Sequence, residues 1–354
     1  MILSFPSHFP VDEAELRLPD AAAAQALAAT AASPLEALLR RRRREWASLL
    51  RLPEDERLLD ATEDAVRLGH ARLALRHGSL GSDFHAYHNE GHVLEICGER
   101  IDRLCGTIGL HALGLREWCA LMLFGAGHDL RQREAPGFID GVGANERASV
   151  DEMQRILDVC GFSRERDADL FVAVELMIAG STFDARPAAG ERPFNAADLV
   201  QSGGALASRL DQLLDLRRSG WRNDAVLVSA QRLALIAADL DTANVAEPFV
   251  KFATTGENLC REREMLSGRS LAASESALPV LGFLTDGQES FFFELHRFQS
   301  EAGAAAFGPG KAANAPRLRA LCLGIRAHVA RHGTPQTGAE AIAAYRSALA
   351  QLPA

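Results

Sequence analysis

The chain reads as all-α, and three observations predict it. Apolar residues recur at helical spacing along most of its 354 residues, whereas runs of strict apolar–polar alternation are nearly absent. The composition agrees: Ala, Leu, Arg and Glu are abundant, while aromatics make up 6%. With 47% apolar and 24% charged residues, the chain has material for a sizeable core.

Taken in order, "DAAAAQALAATAAS" is Ala-rich, stops before Pro34 and predicts a loosely attached helix. Arg40 to Arg44 form a basic run before Trp46, read as a solvated helix face, with docking to an acidic partner as the alternative. Residues 1–45 are therefore expected to be an Ala-rich, basic, partly ordered arm, and residues 46–354 a single helical domain. Helical spacing runs from Leu35 to Arg76, broken near Pro53, and "RHGSLGSDFHAYHNEGH" supplies a glycine-rich turn and a helix start. "HVLEICGERIDRLCGTIG" is amphipathic. "LREWCALMLFGAGHDL" is apolar over most of its circumference and should lie at the centre of the bundle, with Gly125 and Gly127 allowing close approach of a neighbour or ligand. A loop rich in Gly and Pro, "RQREAPGFIDGVGAN", follows. Helices resume at "ERASVDEMQRILDVCG", "RDADLFVAVELMIAGS", "DAVLVSAQRLALIAADLD" and "DGQESFFFELHRFQSEAG", with two more near 315–331 and 337–350.

Composition also narrows the function classes. A net charge of −9 disfavours a general nucleic-acid binder. The N-terminus lacks a basic region followed by an apolar core, and no apolar run nears the roughly 20 residues needed to span a bilayer. The six cysteines show no C-x-x-C spacing and read as reduced core residues of a cytoplasmic protein. Assembly is left open, a homodimer included.

The chemistry lies in polar residues that start or end the apolar helices. His88 and His92, four apart, project about 40° from each other on a helix, so both imidazoles share one side. His128 and Asp129 end the most apolar helix. Asp239 closes "RLALIAAD", where a buried carboxylate is costly unless paired, hydrogen-bonded or bound to a cation; Asp239 and Asp241 also suit a plain helix-terminating role. Imidazole and carboxylate without thiolate argue for a catalytic divalent metal with open positions, Zn, Fe, Mn or Mg, over a structural zinc knot. His70, His77, His85 and His111 read as surface or loop histidines.

The order His92, His128–Asp129, Asp239 resembles the HD superfamily of metal-dependent phosphohydrolases, which implies an HD-domain helical bundle. "AYHNEGH" is similar to the Tyr-His-Asn-x-x-His signature of the class I 3',5'-cyclic-nucleotide phosphodiesterases; "ALIAADLDTANVAEP" and "CREREM" are similar to later elements of that catalytic domain. The resemblance covers roughly residues 84–298. It implies hydrolysis of a small nucleotide, with His92, His128, Asp129 and Asp239 binding a first metal and Asp129 bridging to a second. It makes His88 the general acid toward the leaving oxygen, and Gln288 and Phe291, in Q-x-x-F spacing, the purine-binding pair. Asn89 is expected on the substrate-binding side, orienting the loop or a bound water, or else to start a helix. Asn145 and Glu146 fall near the place where the family has a Glu beside the second metal. The chain departs from the phosphodiesterases at "HDLRQRE", where they carry a further Asp and His. A shorter bacterial group of HD phosphohydrolases shares "YHN…H", "HD" and "NERAS", so a nucleoside monophosphate or other nucleotide is the alternative substrate. A nucleotide-binding signalling domain without catalysis and a helical scaffold are the remaining readings.

Overall fold

The structure is a computed structural model, and it describes residues 9–28, 33–134, 142–184 and 204–352. These residues are overwhelmingly helical, as expected, and divide into two units.

The first unit comprises Met1–Phe84, His88–Asp241 and Phe298–Ala306. Its helices are α1 (Glu13–Arg17), α2 (Ala21–Ala28), α3 (Pro34–Trp46), α4 (Pro53–His77), α5 (Glu90–Leu94), α6 (Ile101–Ile108), α7 (Leu115–Gly127), α8 (Ala144–Val159), α9 (Ala168–Ser181), α10 (Leu210–Arg217) and α11 (Ala225–Asp241). Between α5 and α6 the helix widens into a π segment, Glu95–Arg100. Helix α7 is the inner element: every residue from Trp118 to Gly127 is buried, and it packs on α4, α8, α9, α11 and the π segment. Its two glycines set these distances. A Cβ on Gly125 would stand 2.7 Å from Cys97 Sγ, and one on Gly127 would stand 2.6 Å from Met153 Sδ, so the close neighbours are protein side chains. Helix α9 lies along α11. The β pairing among the described residues is two residues long, Phe183–Asp184 antiparallel to Gly204–Ala205.

The boundary expected at residue 45 falls inside α3, whose Leu35, Leu38, Leu39 and Trp46 are buried; the indole of Trp46 stacks on Trp118. The N-terminal segment is tied down as well. Glu15 is buried and meets Arg155 at 2.6 Å and Arg72 and Arg131 at 3.4 Å. The part of the Ala-rich stretch at residues 29–32 lies outside the described residues, as does 135–141 of the Gly- and Pro-rich loop. The basic run is only partly a solvated face. Arg40 and Arg44 are exposed, but Arg43 pairs with Glu56, Asp60 and Glu63 and Arg41 with Asp102. Arg42, buried, donates to the carbonyls of Cys97 and Gly98 in the π segment, both at 2.8 Å from Nη2.

The second unit comprises His85–Tyr87, Thr242–Arg297 and Phe307–Ala354. It contains α12 (Phe249–Leu266), α13 (Ala277–Gly282), two π segments (Phe283–Gly287 and Ser290–Leu295), most of α14 (Glu301–His332) and α15 (Gly338–Ala350). Helix α15 packs on α13 and α12, where Tyr345 Oη donates to the Ala253 carbonyl at 2.8 Å. All six cysteines are free thiols, five of them buried. Among the described residues no helix is long and apolar enough to cross a membrane.

Candidate metal centre

Four side chains of the first unit converge where α5, α7 and α11 meet. Asn89 caps α5, its side-chain oxygen accepting from the Gly91 N–H at 2.8 Å, which starts the helix so that His92 points inward. Helix α7 ends at Gly127 and presents His128 and Asp129 immediately after its last turn. Asp241 is the last residue of α11.

His92 Nε2 lies 3.4 Å from Asp241 Oδ1 and 3.7 Å from Asp129 Oδ2. His128 Nε2 lies 3.0 Å from Asp129 Oδ2 and 3.4 Å from Asp241 Oδ1. Both histidines are buried. One ligand atom each from His92, His128 and Asp241 falls within 4.8 Å of the other two, a spacing at which a single cation reaches all three. His88 Nε2 stands 4.0 Å from Asp129 Oδ2, its side chain about a quarter exposed. Gln132 Nε2 donates to Asp129 Oδ1 at 2.9 Å.

The electrostatics are those of a site that holds positive charge. Burial disfavours a charged His128, yet the Asp129 and Asp241 carboxylates hold its proton up to about 10. Burial would raise Asp129, but His128, with His88 and His92 near it, holds that carboxyl down to about 2. Asp241 is likewise held well below the usual carboxylate range against burial, by hydrogen bonding and charge from His128 and His92. The His128 ring nitrogens are buried, and Nε2 faces two carboxylate oxygens, at 3.0 and 3.4 Å. The residues present therefore fit a divalent ion of the Zn, Mn or Fe type.

Asp239 is not in this cluster. Two residues apart on a helix project about 200° from each other, so Asp239 and Asp241 leave α11 on opposite sides. Asp239 Oδ1 accepts from the Gln299 N–H at 2.6 Å, and Oδ2 accepts from the Ser300 N–H at 2.8 Å and Ser300 Oγ at 2.6 Å. It anchors the start of α14, packed so closely that a Cβ on Gly303 would overlap its carboxylate. Burial raises its carboxyl to about 6, opposed by those hydrogen bonds. The carboxylate that joins the histidines is Asp241.

No family model, curated protein or solved structure matches this chain.

Glu146, half-buried on the first turn of α8, is raised to about 7 by burial and by the negative charge of Asp129 and Asp241. Asn145 beside it accepts from the Glu134 N–H at 3.0 Å and ties the segment after Asp129 to α8. Arg131, in "RQRE", is structural. It is buried, pairs with Glu134 at 2.6 Å, and reaches Glu15 and Glu152. Gln288 and Phe291 belong to the second unit. Gln288 is buried, with its amide against Gly256 of α12. Phe291 meets the His296 ring edge-on at 5.6 Å, while Phe292 fills core against Phe252. His85, read as a loop histidine, is fully buried 3.3 Å from Glu262, and His77 is buried 3.3 Å from Asp83.

Proposed function

We propose that this chain is a divalent-metal-dependent phosphohydrolase of the HD type, acting on a nucleotide phosphate ester. The observation that carries the reading is the convergence of His92, His128 and Asp241, from three separate helix ends, to within 4.8 Å of one another, with Asp129 Oδ2 beside the two histidines at 3.0 and 3.7 Å. The sequence order places Asp239 last, whereas the carboxylate that meets the histidines is Asp241, two residues on.

His92, His128, Asp129 and Asp241 would hold the ion. Bound there, a divalent ion supplies Lewis acidity toward a phosphoryl oxygen and acidifies water toward neutral pH. His88, about a quarter exposed, is open to substrate and would donate a proton to the departing oxygen. Glu146, raised to about 7 in the ion-free chain, would be drawn back toward the ordinary carboxylate range by a bound cation.

The preferred substrate is a 3',5'-cyclic nucleotide, by the resemblance of "AYHNEGH". A second reading, a linear nucleoside monophosphate, rests on the likeness of "YHN…H", "HD" and "NERAS" to the shorter HD phosphohydrolases. The test is hydrolysis of 3',5'-cyclic, 2',3'-cyclic and linear nucleotides with Zn, Mg and Mn, with His88→Ala as control. Turnover of a cyclic nucleotide, reduced by about 10²–10⁴ in His88→Ala, supports the first reading. Cleavage of linear nucleotides alone moves the assignment to the second, and turnover of none removes both.

A further inference from the structure

The π segment Glu95–Arg100 has no role in binding the ion, yet it is built with care. Its widened turn leaves carbonyls that Arg42 satisfies from α3, at Cys97 and Gly98. A turn supported in this way has a use worth its irregularity.

The use follows from the geometry. In an α-helix, residues five apart project about 140° from each other, so Glu95 and Arg100 would face different ways. The i→i+5 pattern of a π turn brings them together, and Arg100 Nη2 meets Glu95 Oε2 at 3.2 Å. Glu95 Oε2 also faces His92 Nδ1, the ring nitrogen away from the cluster, at 3.6 Å. Arg100 is buried, and its Nη1 donates to the carbonyls of Leu240 at 3.0 Å and Asp241 at 2.6 Å. One guanidinium therefore holds the backbone of one ligand and the carboxylate behind another.

Resting on the metal-site reading above, we infer that Arg100 and Glu95 are positioning residues of the metal centre. Glu95 orients the His92 ring, with Nδ1 toward the carboxylate and Nε2 toward the cluster; Arg100 sets the register of Asp241 against His92. Neither touches the ion. Outer partners of this kind typically change metal affinity 10–100-fold.

The experiment is a Co²⁺ titration of the full chain, followed by visible absorption and by dialysis with metal analysis, for wild type, Glu95→Gln and Arg100→Lys. Glu95→Gln is nearly isosteric and leaves Arg100 in place, so it decides the matter if Arg100→Lys fails to fold. The expected result is about tenfold or greater weakening of Co²⁺ binding in both variants, with a shifted absorption band in Glu95→Gln and unchanged thermal unfolding of its metal-free form. Wild-type affinity and spectrum in Glu95→Gln overturn the positioning role while leaving the metal site intact. A wild type that binds no Co²⁺ overturns the site itself, and the positioning role with it.

Discussion

Asp239 and Asp241 lie two residues apart and the structure gives them opposite work, so exchanging each for Asn should separate two phenotypes cleanly. Asp239 accepts three hydrogen bonds from Gln299 and Ser300 at 2.6–2.8 Å. Asn keeps one acceptor oxygen and turns an NH₂ group toward a donor. Hydrogen bonds to a charged group are worth about 1.5–3 kcal/mol, but burial of the Asp239 charge offsets part of that, so the net loss is about 1–2 kcal/mol. At about 2–4 °C per kcal/mol for a unit of this size, Asp239→Asn should lower Tm by about 2–8 °C and leave metal affinity unchanged. Asp241→Asn should do the reverse: metal affinity falls by about 100-fold or more, beyond what outer partners cost. Thermal unfolding of metal-free protein together with a Zn²⁺ competition titration reads both quantities. Loss of metal binding in Asp239→Asn with retention in Asp241→Asn refutes the ligand assignment.

Three further outcomes are expected. Gly125→Ala forces a Cβ to within 2.7 Å of Cys97 Sγ and 2.9 Å of Ile96 Cγ2, costing about 1–3 kcal/mol by chemical denaturation; adding Cys97→Ala should recover part of the loss, and a neutral Gly125→Ala contradicts the packing described. Arg131→Met removes one of several arginines around the buried Glu15 and Glu152, together with the 2.6 Å pair to Glu134, and should destabilise by about 1–3 kcal/mol, whereas a change below about 0.5 kcal/mol, on the same scale, would place Arg131 in solvent. The His128 proton, raised from 6.5 to about 10, gives the metal-free protein stability that is fully present below pH 6.5 and lost as pH rises toward 10. Metal must displace that proton, so loading at pH 7 should release about one proton per ion, measurable as a buffer-dependent binding enthalpy; a buffer-independent enthalpy contradicts it.

The all-α class was legible because helical periodicity is a local property, repeated in almost every segment. His92, His128 and Asp129 were legible for a related reason: polar residues at the ends of strongly apolar helices stand out against the pattern. Asp239 misled for the same reason. Its burial is real, but the hydrogen bonds that stabilise it come from residues 299 and 300, sixty positions away in sequence. Asp241, one residue beyond the apolar run, carried no such signal, and only the direction in which α11 faces selects it. The π segment was invisible too, since "EICGER" fits ordinary helical spacing. Its support comes from Arg42, a residue inside what reads as a simple basic run. The tether of the N-terminus through Glu15 likewise depends on arginines from two helices and a loop that sequence spacing does not bring together.

The central claim is that His92, His128, Asp129 and Asp241 bind a divalent ion. The most direct measurement is elemental analysis after equilibrium dialysis of the full chain against Zn²⁺ or Mn²⁺, with His128→Ala alongside. At least one ion per chain in the wild type and none in His128→Ala is the predicted result; a wild type that retains no ion, or a variant that retains as much, contradicts it.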